Sequence, residues 1–195
     1  MSAKKRSVGL VMLTDVPGYG RVAVLQKRGE FNHETMKPES WRGACQVTVH
    51  GGFNEGDGYP FGTLLRETGE ELSEDFLDAL YVYCFGEEVD LDNPPELDFG
   101  KITTEVAVVD TDAQEARTYA MYIDDPNVLM SIRLNASSGG LRLATEYQIE
   151  CAHSLKDGFN KDDGVRDRDL IAMFPDELDA VKKAFALFRH IPVSA

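Results

Sequence analysis

The stretch "VHGGFNEGDGYPFGTLLRETGEEL", residues 49 to 72, leaves few folds open to this chain. An alternating run, "CQVTVH", ends at Gly51-Gly52, the pattern of a strand entering a tight turn. Pro60 then stands where a first helical turn tolerates it, and the period becomes helical. On a wheel at about 100° per residue, Phe61, Leu65, Leu72 and Phe76 fall on one side, while Glu67, Glu70 and Glu71 fall on the other. A strand that hands over to such a helix calls for a helix laid on a sheet. It also crowds Arg66, Glu67, Glu70 and Glu71 into six residues, where the acids repel unless solvent or a cation intervenes.

The rest of the chain fits that frame. Ser7 to Leu13 and Arg21 to Gln26 are β-rich runs joined by "TDVPGYG", the signature of a hairpin. "KRGEFNHETMKPES" is a polar loop. Strand-like runs follow at Tyr81 to Phe85, Ile102 to Val109 and Thr118 to Ile123, with an acidic surface loop from Glu87 to Gly100. The helix carrying the glutamates either ends at Ser73-Glu74-Asp75 or continues to Ala79. "NASSGG" reads as a flexible turn, "YQIECAH" as a strand and "KDGFNKDDGVRDRD" as a charged loop. Pro175 to Phe188 closes the chain as an amphipathic helix with Leu178, Val181, Phe185 and Phe188 on one face. The order predicts a mixed α/β or α+β sandwich, helices packed on a sheet, in one domain over residues 1–195.

Charge narrows the function. A formal net charge of −14 over 195 residues argues against duplex nucleic acid or an anionic membrane as the main partner, since both require basic surface. It does not oppose a small anionic substrate if a metal supplies local positive charge. Cys45, Cys84 and Cys151 are odd in number and lack C-x-x-C spacing, which suits free thiols in a reducing compartment. "MSAKKRSVGLVMLTD" has the basic-then-apolar order of a signal peptide, but its apolar run stops at Thr14-Asp15 without a small-residue cleavage site and reads as a first strand. No apolar stretch approaches 18 residues, so the expected location is cytoplasmic.

Taken alone, three carboxylates on a helix face are most simply a solvated surface. The glycines just upstream alter that reading, because they let backbone approach a ligand closely. Gly69, on the apolar side, is expected to allow close packing against a strand. Carboxylates plus a glycine carbonyl make an all-oxygen site suited to Mg²⁺ or Mn²⁺.

The segment resembles the Nudix box, a glycine–x5–Glu–x7–Arg-Glu–aliphatic–x–Glu-Glu–x–Gly–aliphatic pattern. Arg66-Glu67-Thr68-Gly69-Glu70-Glu71 matches its centre, with Thr68 in an aliphatic position. One register puts Gly52 first and Gly58 where an acid belongs; allowing one inserted residue puts Gly51 first and Asp57 at the acid, and that register is preferred because it retains a carboxylate. The closing glycine is missing, since Ser73-Glu74 follow Leu72. "VAVLQKRG" and "ESW" before the box, and "FPDELDAVKKAFALF" at the end, are similar to the family's lead-in and terminal helix.

The resemblance implies an α/β/α sandwich with a mixed sheet and helices on both faces. It implies divalent metal on Glu67, Glu70 and Glu71, with Asp57 and a Gly51 or Gly52 carbonyl nearby and Arg66 orienting the glutamates. The implied reaction is Mg²⁺-dependent attack of water on a diphosphate linkage in a nucleoside diphosphate derivative, Mn²⁺ being an alternative ion; Glu70 and Glu146 are the candidate bases. The alternative is an inactive relative that binds a nucleotide-like ligand as sensor or scaffold. A homodimer is compatible with either. The 29–40 and 155–169 loops are expected to shape the pocket, with Phe31, Trp41 and Tyr119 available to stack on a base or to serve as core. His50 reads first as a hydrogen-bonded structural residue. Cys45 reads as a buried strand residue, because His50 stands five residues on, unlike the cysteine-histidine spacing of isopentenyl diphosphate isomerase. "KDGFNKDDGVRDRD" does not fit a calcium loop: with Gly164 sixth, Phe159 and Lys161 take ligand positions.

Overall fold

The computed structural model describes residues 4–33, 35–92 and 95–192. Its centre is β1 (Lys5–Val16), followed across a tight turn by β2 (Gly20–Arg28). Two short pairs of residues, β3 (Phe31–Asn32) and β4 (Lys37–Pro38), form a small hairpin in the loop beyond. Next come β5 (Cys45–Gln46) and β6 (Val49–Gly52), then helices α1 (Phe61–Leu72) and α2 (Glu74–Phe85). A one-turn helix α3 (Phe99–Ile102) leads into β7 (Thr104–Asp110) and β8 (Gln114–Ile123). The chain then runs through a 3-10 turn (Pro126–Ser131), β9 (Ser138–Thr145), α4 (Glu146–Glu150), the short β10 (His153–Ser154) and β11 (Ala172–Met173), and α5 (Pro175–Phe188).

Strand β1 is apolar on consecutive residues because both of its faces are covered. Val8, Leu10 and Met12 point to one side, with Tyr119, Met121 and Ile123 of β8, under Leu64, Leu72, Phe76 and Leu80 of the two long helices. Val11 and Leu13 point to the other, with Ala23, Leu25 and Ala120, under Ala180, Val181, Ala184 and Phe185 of α5. The result is a mixed sheet with helices on both faces. A third, smaller cluster of Ala44, Leu155, Val165 and Ala172 with Trp41 and Phe174 pins the 155–170 loop against residues 41–44.

The edges of β1 create the feature that matters for function. β8 runs parallel along one edge from Lys5 to Thr14, so β2 and β6 must share the other. β2 holds Met12 to Val16, and β6 holds Ser7 to Leu10. Where the two part, Thr48 fills the fork: its buried hydroxyl accepts from the Met12 N–H and donates to the Val24 carbonyl. "CQVTVH" is therefore two short strands with Thr48 between them, not one continuous strand.

Four further expectations are corrected. Tyr81 to Phe85 is the last turn of α2, not a strand. Ser73 ends α1 at φ 98° and its hydroxyl accepts from the Phe76 N–H, starting α2 one residue after α1 stops. "YQIECAH" opens as helix α4, because Thr145 and Gln148 form a reciprocal capping box. "NASSGG" turns into β9, an edge strand paired with β2. Gly69 approaches Glu74 and Leu77 of α2 rather than a strand.

Candidate active site

The end of β6 and the outer face of α1 meet at Gly51. A Cβ there would lie 1.8 Å from the Glu67 carboxyl carbon, so only glycine leaves room for that carboxylate. Glu67 is accordingly 9% exposed, tucked against the strand, where the wheel had placed it outside with Glu70 and Glu71. Burial raises its pKa, more than the hydrogen bond from Arg66 lowers it. Glu71 accepts from the His50 backbone N–H at 3.0 Å. Its pKa is pushed up to about 8, first by burial and then by Glu67 and Glu70, against the pull of that hydrogen bond.

Arg66 is the hub beside them. Its guanidinium donates to Asp57 at 3.1 Å, to Glu67 and Glu70 at 2.7 Å each, and to the Gly52 carbonyl at 2.7 Å. These partners, Asp57 first, hold Arg66 well above its ordinary range, and Arg66 holds the Asp57 carboxyl below the usual carboxylate range. Asp57 thus arrives at the cluster through Arg66. Asp57, Arg66, Glu67, Glu70 and Glu71 are brought together with Gly51 and Gly52. Glu146 is not. It follows Thr145, which pairs with Val22 opposite Thr14, six residues along β1 from Val8 at Gly51. At about 3.3 Å per residue that is about 20 Å, and there Glu146 binds Arg189 at 2.6 Å.

Sequence reasoning missed Glu177. It occupies the first turn of α5 and is 9% exposed, and its Oε2 has no hydrogen-bond partner among the described residues. Its pKa is raised to about 8 by burial, then by Asp176, with Glu71 adding to the rise and Arg28 opposing it. The signal was present: Glu177 stands three and four residues before Ala180 and Val181, in line with the buried stripe. Arg28 also went unread; with Gln46, His50 and Glu71 it lines a hollow of about 240 Å³ in the fork between β2 and β6. Of the candidate stacking residues, Tyr119 is core, Trp41 packs edge-on against Phe174 and Phe31 against His33. Cys45 is buried in the sheet.

No family model matches the chain, and no curated protein matches it. Solved structures do. The chain is similar to the NUDIX domain of Shewanella oneidensis NrtR in complex with ADP-ribose, with 14% identity, coverage of 96% of this chain and 90% of that one, and a TM-score of 0.55. It is similar to RenU, a Nudix hydrolase from M. smegmatis, at 14% identity over 100% and 92% of the two chains, with a TM-score of 0.53. The fold is that of the Nudix hydrolases. A NUDIX hydrolase from Alicyclobacillus acidocaldarius gives 13% identity over the full length of both chains and a TM-score of 0.50. Likeness at this identity carries the Nudix fold and leaves the chemistry to the residues.

Proposed function

We propose that this chain is a Nudix-type pyrophosphohydrolase that cleaves a diphosphate linkage in a nucleoside diphosphate derivative, using Mg²⁺ or, alternatively, Mn²⁺. The observation that carries the reading is the pressing of the Glu67 carboxylate onto Gly51 with Glu71 fixed on His50, at the strand-to-helix corner of a Nudix fold. The ADP-ribose bound to the NUDIX domain of NrtR supports the substrate class.

The donor set fits a hard divalent cation. It is all oxygen, and burial, with the neighbouring carboxylates, drives the Glu67 and Glu71 pKa values up despite Arg66 and Arg28. Glu67 and Glu71 would hold the cation, with Gly51 keeping the approach clear. When bound, the cation neutralises the diphosphate and acidifies a bound water. Arg66 fixes the carboxylates against one another and against Gly52. Glu70 binds Arg66 through Oε2, leaving Oε1 to accept the proton of the attacking water. The water oxygen bonds to phosphorus as the bridging P–O bond breaks. Glu146 is too far from this corner to share in the step.

No helix among the described residues is long and apolar enough to cross a membrane. We propose a cytoplasmic location and one domain over residues 1–195, acting on a small molecule. A second reading, ligand binding without turnover, draws on Arg66, which engages Asp57, Glu67 and Glu70, and on the lack of any group of three metal-ligating side chains ready to hold an ion among the described residues. A panel of nucleoside diphosphate derivatives, assayed for phosphate-ester release with and without Mg²⁺, separates the two. Mg²⁺-dependent turnover of any member supports the hydrolase; binding with no turnover of any member supports the second reading.

A further inference from the structure

Beyond the fork, β2 opens onto a second and larger hollow of about 560 Å³. Lys27 and Arg28 line both, so the two are neighbours. The lining of the larger one carries five cations, Lys27, Arg28, Arg42, Arg166 and Arg168, against the carboxylates of Glu30 and Asp163. In a chain of net charge −14 that lining inverts the overall sign; a hollow lined by Lys4, Lys5 and Arg6 does so too, but there Lys4 and Arg6 are paired with Asp110 and Glu115.

Most arginines of this protein are matched to a carboxylate. Among the described residues the four without an ion-pair partner are Arg42, Arg133, Arg142 and Arg168. Two of them line this hollow, and Arg142 stands at its rim, donating to the Arg168 and Asp169 carbonyls at 3.2 and 3.0 Å. Lys27 also lacks a carboxylate and donates to the Arg168 carbonyl at 3.2 Å. The backbone from which Arg168 projects is therefore held from two sides.

The opposite wall is equally fixed. The Val165 N–H donates to the Arg42 carbonyl at 2.7 Å, and the Trp41 N–H to the Lys161 carbonyl at 2.9 Å. Gly43, at φ 72°, lets the two segments close: a Cβ there would fall 2.5 Å from the Val165 carbonyl oxygen. Unneutralised cations on a rigid frame, around a hollow of ligand size, form a preorganised anion site.

We propose that the hollow walled by Lys27, Arg42 and Arg168 binds a phosphate monoester carried by the substrate, one group beyond the diphosphate to be cleaved at Glu67 and Glu71. This assignment rests on the hydrolase reading for its position in the reaction. It narrows the substrate class to nucleoside diphosphate derivatives that bear an additional terminal phosphate. Arg28, held by Glu39 and Ser40 between the two hollows, marks the boundary that the substrate would cross.

The test compares binding first and turnover second. Titration calorimetry in EDTA measures adenosine 2′,5′-bisphosphate, AMP and inorganic phosphate against the wild-type protein, Arg168→Ala and Arg42→Ala. The bisphosphate should bind wild type about tenfold or more tightly than AMP, since it adds charge-assisted bonds, and added salt should shrink the ratio. In either variant the ratio should fall towards one. Two variants on separate segments guard against a folding defect in one of them, and circular dichroism checks each. Equal affinity for AMP and the bisphosphate in wild type overturns the proposal. So does inorganic phosphate binding as tightly as the bisphosphate, which would make the hollow a free-phosphate site. NADH and NADPH, which differ by one phosphate monoester, then serve as a turnover pair with Mg²⁺. A bisphosphate preference without hydrolysis of any diphosphate would retain the subsite and reject the hydrolase; hydrolysis without the preference would do the reverse.

Discussion

Replacing Glu177 with glutamine tests whether the first turn of α5 holds a proton that the unfolded chain would lose. The carboxyl is 9% exposed, its Oε2 is unpartnered among the described residues, and its surroundings include Asp176 and Glu71 as well as Arg28. Burial outweighs the helix N-terminus, which would favour the anion. The folded pKa of about 8 stands above an unfolded value of 4.5. Between those pH values the folded chain binds more protons than the unfolded chain, so stability falls as pH rises from about 4.5 to about 8 and levels off above that. At about 1.4 kcal/mol per pH unit the gap has a ceiling of about 5 kcal/mol; sharing of the proton load with Glu71, also pushed to about 8, brings Glu177's part to roughly 2–4 kcal/mol. Glutamine keeps the shape and discards the charge. Thermal melts in EDTA should show Glu177→Gln close to wild type at pH 5 and higher at pH 8, by roughly 5–12 °C for a chain of this size. A difference between the two proteins that does not change from pH 5 to pH 8 would mean that Glu177 is ionised and neutralised in the fold and holds no such proton.

The remaining predictions concern the corner at Gly51. Gly51→Ala places a methyl group 1.8 Å from the Glu67 carboxyl carbon, and the flexible side chain must swing aside. Turnover should fall at least about tenfold while the melting temperature moves little, because the obstacle is the far end of a side chain; steady-state rates beside a melt check both. Asp57→Asn removes the charge that anchors Arg66, so Mg²⁺-dependent turnover should drop about 10- to 100-fold, and a rate equal to wild type would remove Asp57 from the site.

How much of this was legible depends on whether the determining contacts are local. The hairpin of β1 and β2 and the helix α5 show in the sequence because their apolar spacing matches their burial. Pro175 and Phe188 are the observed ends of α5. Tyr81 to Phe85 misled because Tyr, Val and Phe favour strands, whereas Phe76, Leu77 and Leu80 had already committed the segment to helix packing on the core. β9 was hidden because Leu141 and Leu143 lie exposed on an edge strand, so no buried alternation marks it. In the site, Arg66, Glu67, Glu70 and Glu71 were legible as a cluster, but the inward turn of Glu67 depends on Gly51, which is distant along the chain. The burial of Glu177 was legible from its place in the stripe of Ala180 and Val181, but the approach of Glu71 was not, and the cationic hollow lies further out of reach. The hollow draws on residues near 27, 42 and 166: pairing of β2 with β5 brings the first two together, and the third apolar cluster brings in the last.

If Glu71 holds a cation, it serves hydrolysis; if it does not, the helix is a wet surface. The most direct measurement is the Mg²⁺-dependent rate of Glu71→Gln relative to wild type, on the best substrate of the nucleoside diphosphate panel. The rate of Glu71→Gln should fall at least about 100-fold, since the cation's charge neutralisation and water activation go together. Turnover by Glu71→Gln equal to wild type, with the same dependence on Mg²⁺, would contradict a cation-holding role for Glu71.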